Sequence, residues 1–350
     1  MSADKRVKFI DVAKGISILC IILGHLNEPG INRVVFTFHV PIFYFITGYF
    51  LNGSTPLRPF LRRKAQTLLV PYAAACVLII LLSPLCGLLF HTGESVRATL
   101  LRWIYASIYG AGDSYTAPFY IPHIGALWFL LATFWGSLFL RLTAPFRPGT
   151  RIALILAMFA AGYWSRELYG FPFSIQAGLC AVLFMYFGQL FRELREPLRG
   201  LSVEVKAAAS LLAFGVWICF MRDFQSFWLV HSDVGRGAVD IMGCICGSWM
   251  VLLLSRFIEN KCRRLTNALS YLGRYSIMVL FAHIIELDLF YWDQILAPVM
   301  SLGIPDSLYL YVKIAAKFLW CILVTLLLSH WDPARRLFGM PALKKKEVSA

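Results

Sequence analysis

Ten apolar runs of roughly 20 residues, the length that crosses a bilayer as a helix, succeed one another along this chain of 350 residues. They lie near 9–27, 34–52, 67–90, 124–143, 150–168, 175–191, 203–221, 236–254, 269–290 and 309–329. Such a chain has few folds open to it, because in hydrocarbon every backbone polar group needs a partner inside its own helix or barrel. The expected fold is an all-α integral membrane protein with about ten transmembrane helices. Charged residues make up only 15% of the chain, against about 25% in an average soluble domain.

A formal charge of +14 raises nucleic acid as a partner, but the placement of the charges points to the lipid bilayer instead. Lys and Arg gather in blocks at Lys5 to Lys14, 58–64, 141–151, 192–206, 256–274 and 335–346. Arg33, Arg97, Arg102, Arg166, Arg222, Arg236, Lys313 and Lys317, eight of the 33 cations, fall on the other side. The positive-inside rule then puts both termini in the cytoplasm. One membrane domain, 1–350, fills the chain: a core of about 9–329 and a basic cytoplasmic tail, 330–350, ending "LKKKEVSA". The segment 91–123 contains "SVRATLLRWIYASIYG", apolar at helical spacing, and is expected to lie along the membrane surface. Cys262 falls on a cytoplasmic loop and no pair of the nine cysteines shares an outside loop, so no structural disulfide is expected.

The first run raises a chemical question. "FIDVAKGISILCIILGHL" carries Asp11, Lys14 and His25, each costly in hydrocarbon. Eleven helical steps from Lys14 return to within ~20° of the same face at His25, about 16 Å further along the axis. Asp11, three residues before Lys14, shares that face. The stripe must therefore face protein or a water-filled cavity, either as a functional site or as a polar contact between helices. His39 lies near the outer end of the second run, within plausible reach of His25, and Pro41 is expected to bend that helix. Arg58, Arg62, Arg63 and Lys64 form a cluster that either fixes topology or grips phosphate, which Arg binds bidentately.

These residues resemble the acyltransferase 3 family of membrane acyltransferases. The signature is a basic residue, ten residues, then His, here Lys14 and His25, followed by Phe43-Tyr44-Phe45-Ile46-Thr47-Gly48. The similarity continues through "FLRRKAQTLLVPY", "ALWFLLATF" and "LGRYSIMVLFAHIIEL". The overall look is that of an O-acetyltransferase of the fucose 4-O-acetylase type, without the fused SGNH domain of longer members, so the chain is expected to act alone or with a separate partner. The resemblance implies transfer of an acyl group, usually acetyl, from cytoplasmic acyl-CoA to a carbohydrate hydroxyl, on a lipid-linked or surface glycan at the bacterial inner membrane.

Under that reading His25 is the general base toward a sugar hydroxyl or itself accepts the acyl group. His39 and Asp11 assist it, with His39 orienting His25 or binding acceptor hydroxyls. Lys14, Arg58, Arg62, Arg63 and Lys64 hold the acyl-CoA donor. His283 and Glu286, i and i+3 on one helix face, form a second acid/base pair, an acceptor clamp or an interfacial contact. Trp128 stacks on a sugar or belongs to the interfacial aromatic belt. Lys313 and Lys317 are expected to snorkel outward. No nucleotide-binding loop, nucleophile elbow or metal-ligand spacing is present, so no metal and no bound cofactor are expected beyond acetyl-CoA or another acyl-CoA as co-substrate. The rival from another class is a multi-span transporter or flippase, whose charged stripes would form a substrate or proton path.

Overall fold

The computed structural model describes residues 7–343, so the basic run from 344 onward lies outside the described residues, as do Lys5 and Arg6. α1 is Lys8–Gly24, α2 Pro29–Val35 and α3 Pro41–Phe50. α4 (Leu57–Lys64) passes through a π-helical turn, Ala65–Leu69, into α5 (Val70–Leu89), and α6 is Val96–Tyr109. α7 (Trp128–Thr143), α8 (Pro148–Ser165) and α9 (Ile175–Glu193) follow, then a short α10 (Arg195–Arg199) and α11 (Val203–Arg222). α12 (Ala238–Lys261) leads to α13 (Arg263–Arg274) and α14 (Ser276–Leu289), and α15 (Trp292–Met300), α16 (Tyr309–His330) and α17 (Asp332–Leu337) come last. Among the described residues the only β-type pairing is an isolated bridge between Tyr115 and Ile121.

Among the described residues, six helical segments are long and apolar enough to cross a membrane: Leu57–Leu89, Gly125–Thr143, Pro172–Glu193, Val203–Arg222, Ala238–Lys261 and Asp306–His330. α13 and α14 together qualify as a seventh, bent by 72°. The all-helical fold with several apolar spans is therefore present, and the expected runs 9–27, 34–52 and 150–168 fall on helices outside this set. The run 9–27 becomes the 17-residue α1, about 25 Å long. It stops before Asn27, whose φ of 59° is left-handed. The run 150–168 is the 18-residue α8. The run 34–52 is two helices rather than one bent helix, because Pro41 has no N–H to donate and opens α3 at its first turn.

Close helix crossings position the site. A Cβ at Gly273 would lie 1.7 Å from the carbonyl oxygen of Asp11, and one at Gly15 would lie 2.1 Å from that of Leu269. α1 and α13 thus meet backbone to backbone, which only small residues permit. Gly48 and Gly188 hold α3 and α9 in the same way, at 1.8 Å from Met185 O and 1.9 Å from Phe45 O. α13 grips the first half of α1, and the bend at Tyr275 carries α14 to the other end, where His283 meets His25. Gly273→Val should accordingly cost on the order of 3 kcal/mol or more by overpacking. Gly215→Val, at a position with nothing within 4 Å, should be near neutral. Melting of the two variants in detergent compares them directly.

Candidate active site

Two cavities open along α1 and share the side chains of Ile21, Phe129 and Leu280. The first, about 370 Å³, is cationic: Lys14, Arg63 and Lys64 line it, with Thr47 and Asn52. The second, about 420 Å³, holds His25, His39 and His123 together with Asp113 and Asp288, between Trp128 and Trp228. One helix serves both. Lys14 faces the first cavity, and His25, at the C-cap of α1, faces the second.

The wiring of His25 decides its chemistry. Its Nδ1 lies 2.8 Å from the carbonyl oxygen of Ile21, which can only accept, so Nδ1 carries the proton. His283 Nε2 lies 3.2 Å from the same Nδ1. His283 in turn donates from Nδ1 to Glu286 Oε1 at 2.7 Å, which leaves its Nε2 as an acceptor toward His25. Lys317 donates from Nζ to Glu286 Oε2 at 2.5 Å, and the indole of Trp292 donates to the same oxygen. His283 and Glu286 are fully buried and Lys317 is 2% exposed. Every member is partnered, the condition for burying ionised groups at tolerable cost. His25 Nε2 is then the ring nitrogen left for a ligand, as a base. A proton taken there would be spread through His283 toward Glu286.

Cys321 lies near His283 and Glu286, with the three ligand atoms within 4.8 Å of one another. The ammonium of Lys317 occupies the carboxylate oxygen that a divalent ion would need, so the arrangement fits an ion-paired relay better than a metal centre.

The loop before α7 closes the second cavity. His231 Nε2 lies 2.9 Å from Asp113 Oδ2, and this hydrogen bond holds the Asp113 carboxyl below its ordinary range. Ser114 Oγ lies 2.9 Å from His123 Nδ1 and accepts from the His123 backbone N–H at 3.3 Å. Burial pushes the His123 imidazole down, toward the neutral form.

The residues singled out in the sequence fall in different parts of the fold. Asp11 does not reach His25. It sits fourteen residues away near the start of α1, about 21 Å along the axis, with Lys14 Nζ at 3.7 Å. His39 is buried and its Nδ1 donates to Val35 O at 2.6 Å; it lines the His25 cavity, but the side chain bonded to His25 is His283. Of the basic cluster, Arg63 and Lys64 line the cationic cavity, whereas Arg58 and Arg62 are not among its lining residues. Trp128 walls the histidine cavity. Lys317 does not snorkel, because its ammonium has a buried carboxylate to meet; Lys313 pairs with Asp293 at 2.9 Å.

Comparison with known proteins decides the family. The family model described as an acyltransferase domain, acyltransferase 3, matches residues 7–334. The chain belongs to the acyltransferase 3 family. Nodulation protein NolL of Sinorhizobium fredii (strain NBRC 101917 / NGR234) is 28% identical over 267 residues, covering 69% of this chain. The chain spans 65% of the length of that relative. No solved structure matches. In this acyltransferase 3 chain the basic residue and the histidine of the signature stand at two different cavities, joined by eleven steps of one helix. Lys317 and Trp292 were missed by sequence reasoning. A usable signal was present for the first: Lys313, Lys317 and Cys321 recur every four residues, one face of α16, inside an otherwise apolar run.

Proposed function

We propose that this chain is a membrane O-acyltransferase that moves an acyl group, acetyl in the first instance, from acyl-CoA to a hydroxyl of a surface or lipid-linked glycan. The observation that carries this reading is the position of His25. His25 lines a polar, aromatic cavity that shares Ile21, Phe129 and Leu280 with the adjoining cationic cavity. Lys14, Arg63 and Lys64 suit the phosphates of the donor, by charge-assisted hydrogen bonds. The sugar occupies the histidine cavity, and the thioester reaches it past Ile21, Phe129 and Leu280.

In the reaction, His25 Nε2 removes the proton of the sugar hydroxyl as its oxygen attacks the thioester carbonyl. The tetrahedral intermediate expels the thiolate, and the imidazolium returns its proton to that sulfur. The products are the acyl ester and free CoA thiol. The donor side is cytoplasmic and the membrane is the bacterial inner membrane in this reading.

Thiol release from acetyl-CoA by the chain in lipid nanodiscs, with and without cell-surface glycan, is the test. Release that requires both substrates, with label transferred to glycan, is the expected result. Movement of a glycan across the bilayer without any donor would favour the transporter instead. Lys14→Ala and Arg63→Ala should each raise the apparent KM for acetyl-CoA about 10-fold, the loss of one charge-assisted hydrogen bond. Arg62→Ala should leave it unchanged, since Arg62 does not line the cavity.

A further inference from the structure

The histidine cavity is lined by different ionisable groups from its neighbour. Two carboxyl groups, Asp113 and Asp288, line it, and no Lys or Arg is among its described lining residues. The cationic cavity has three cations and no carboxylate among its described lining residues. A phosphate or a carboxylate entering the second cavity would therefore lose water and meet no Lys or Arg side chain on its described lining, a cost of several kcal/mol for an uncompensated buried ion. A polyol meets no such penalty.

Asp288 marks the place where a hydroxyl belongs. Its Oδ2 is buried and has no hydrogen-bond partner among the described residues. Buried polar atoms are nearly always satisfied, and those that are not commonly await a ligand or water. Gly125, with φ of +62°, backs onto this carboxyl: a Cβ there would lie 3.0 Å from Asp288 Oδ1. Trp128 and Trp228 also line the cavity and supply the aromatic surface that suits the C–H side of a pyranose. A volume of about 420 Å³ lies within the usual range of about 300–1,000 Å³ for small-molecule sites.

We infer that the histidine cavity is a binding site for an uncharged sugar residue, and that Asp288 recognises it by hydrogen bonding one of its hydroxyls. This rests on the acyl-transfer reading for its biological role, but not for its binding chemistry. The site discriminates by charge: a neutral hexose or deoxyhexose is admitted, and a uronic acid is refused. Asp288 holds the acceptor at a hydroxyl other than the one that reacts at His25.

The full-length purified chain, in detergent and without acyl-CoA, can be titrated by saturation-transfer NMR with methyl glycosides of glucose, galactose, mannose and fucose, and with the glucuronic, galacturonic and mannuronic counterparts of the first three. At least one neutral glycoside should bind saturably, and its uronic counterpart, where the panel has one, at least about 10-fold more weakly. Asp288→Ala should weaken the neutral glycoside about 10-fold, and Asp288→Asn less, because the amide keeps one acceptor oxygen. Neither variant should change the affinity for acetyl-CoA or the melting temperature. The inference is overturned if no neutral glycoside binds saturably, if uronic acids bind as tightly, or if Asp288→Ala leaves the neutral glycoside within about 2-fold. Neutral-sugar binding with no thiol release from acetyl-CoA would leave this site standing and remove the transferase reading. Glycan-dependent thiol release with a KM for glycan indifferent to Asp288→Ala would do the reverse.

Discussion

His25→Ala should lower the rate of acyl transfer by about 10²- to 10⁴-fold, the range that a positioned general base supplies, while the chain remains folded. His25 stands at the C-cap of α1 and is only partly buried. Its removal opens the wall of a cavity that is already there, and leaves His283 Nε2 as a lone pair facing that space. The melting temperature should therefore change little. The same substitution should not alter the KM for acetyl-CoA, because Lys14, Arg63 and Lys64 lie on the other cavity. His25→Gln keeps a polar side chain of similar reach but supplies no basic nitrogen, so it should be as inactive as the alanine variant. Activity of either variant within 10-fold of wild type would remove His25 from the chemistry. Acid quenching with labelled acetyl-CoA then separates the two routes open to an imidazole: label on the wild-type chain and none on His25→Ala means that His25 carries the acyl group.

How much of this was legible beforehand follows from what each signal depends on. Apolar length is a local property, so helical spans at 67–90 or 309–329 could be read from composition, and they coincide to within a residue with parts of Leu57–Leu89 and Asp306–His330. The break at Pro41 is local too, yet Pro at a first helical turn and Pro at a kink look alike until the turn before it is seen. The helical face carrying Lys14 and His25 was readable from 3.6-residue geometry. What stood on the opposite side of that face was not. Glu286 and Lys317 are 31 residues apart, and His25 and His283 are 258 apart; no periodicity in one helix reports a partner on another. The expectation that Lys317 snorkels treated it as a cation in lipid, and a carboxylate on α14 changes which outcome costs less. The separation of Asp11 from His25 has a simpler cause. A shared face says nothing about height along the axis, and fourteen residues separate it from the histidine.

Lys317→Met should destabilise the protein by about 3–5 kcal/mol, because it leaves a buried carboxylate with its counter-charge removed. Glu286 is fully buried, and the ammonium of Lys317 is its nearest cation at 2.5 Å. The remaining donors, His283 Nδ1 and the indole of Trp292, are neutral groups that solvate charge without cancelling it. Adding Glu286→Gln should restore most of that loss. The amide oxygen still accepts from His283, and no bare charge is left in the interior. Catalysis should not recover with stability. A neutral amide cannot offset the charge that His283 shares when His25 takes up a proton, so the double variant should melt near wild type and remain about 10²-fold slow. This split distinguishes a relay that tunes His25 from a mere structural brace. Were Lys317–Glu286 only a brace, activity would follow stability in both variants. A wild-type rate in the double variant would detach the buried ion pair from the reaction and leave His25 working with His283 alone.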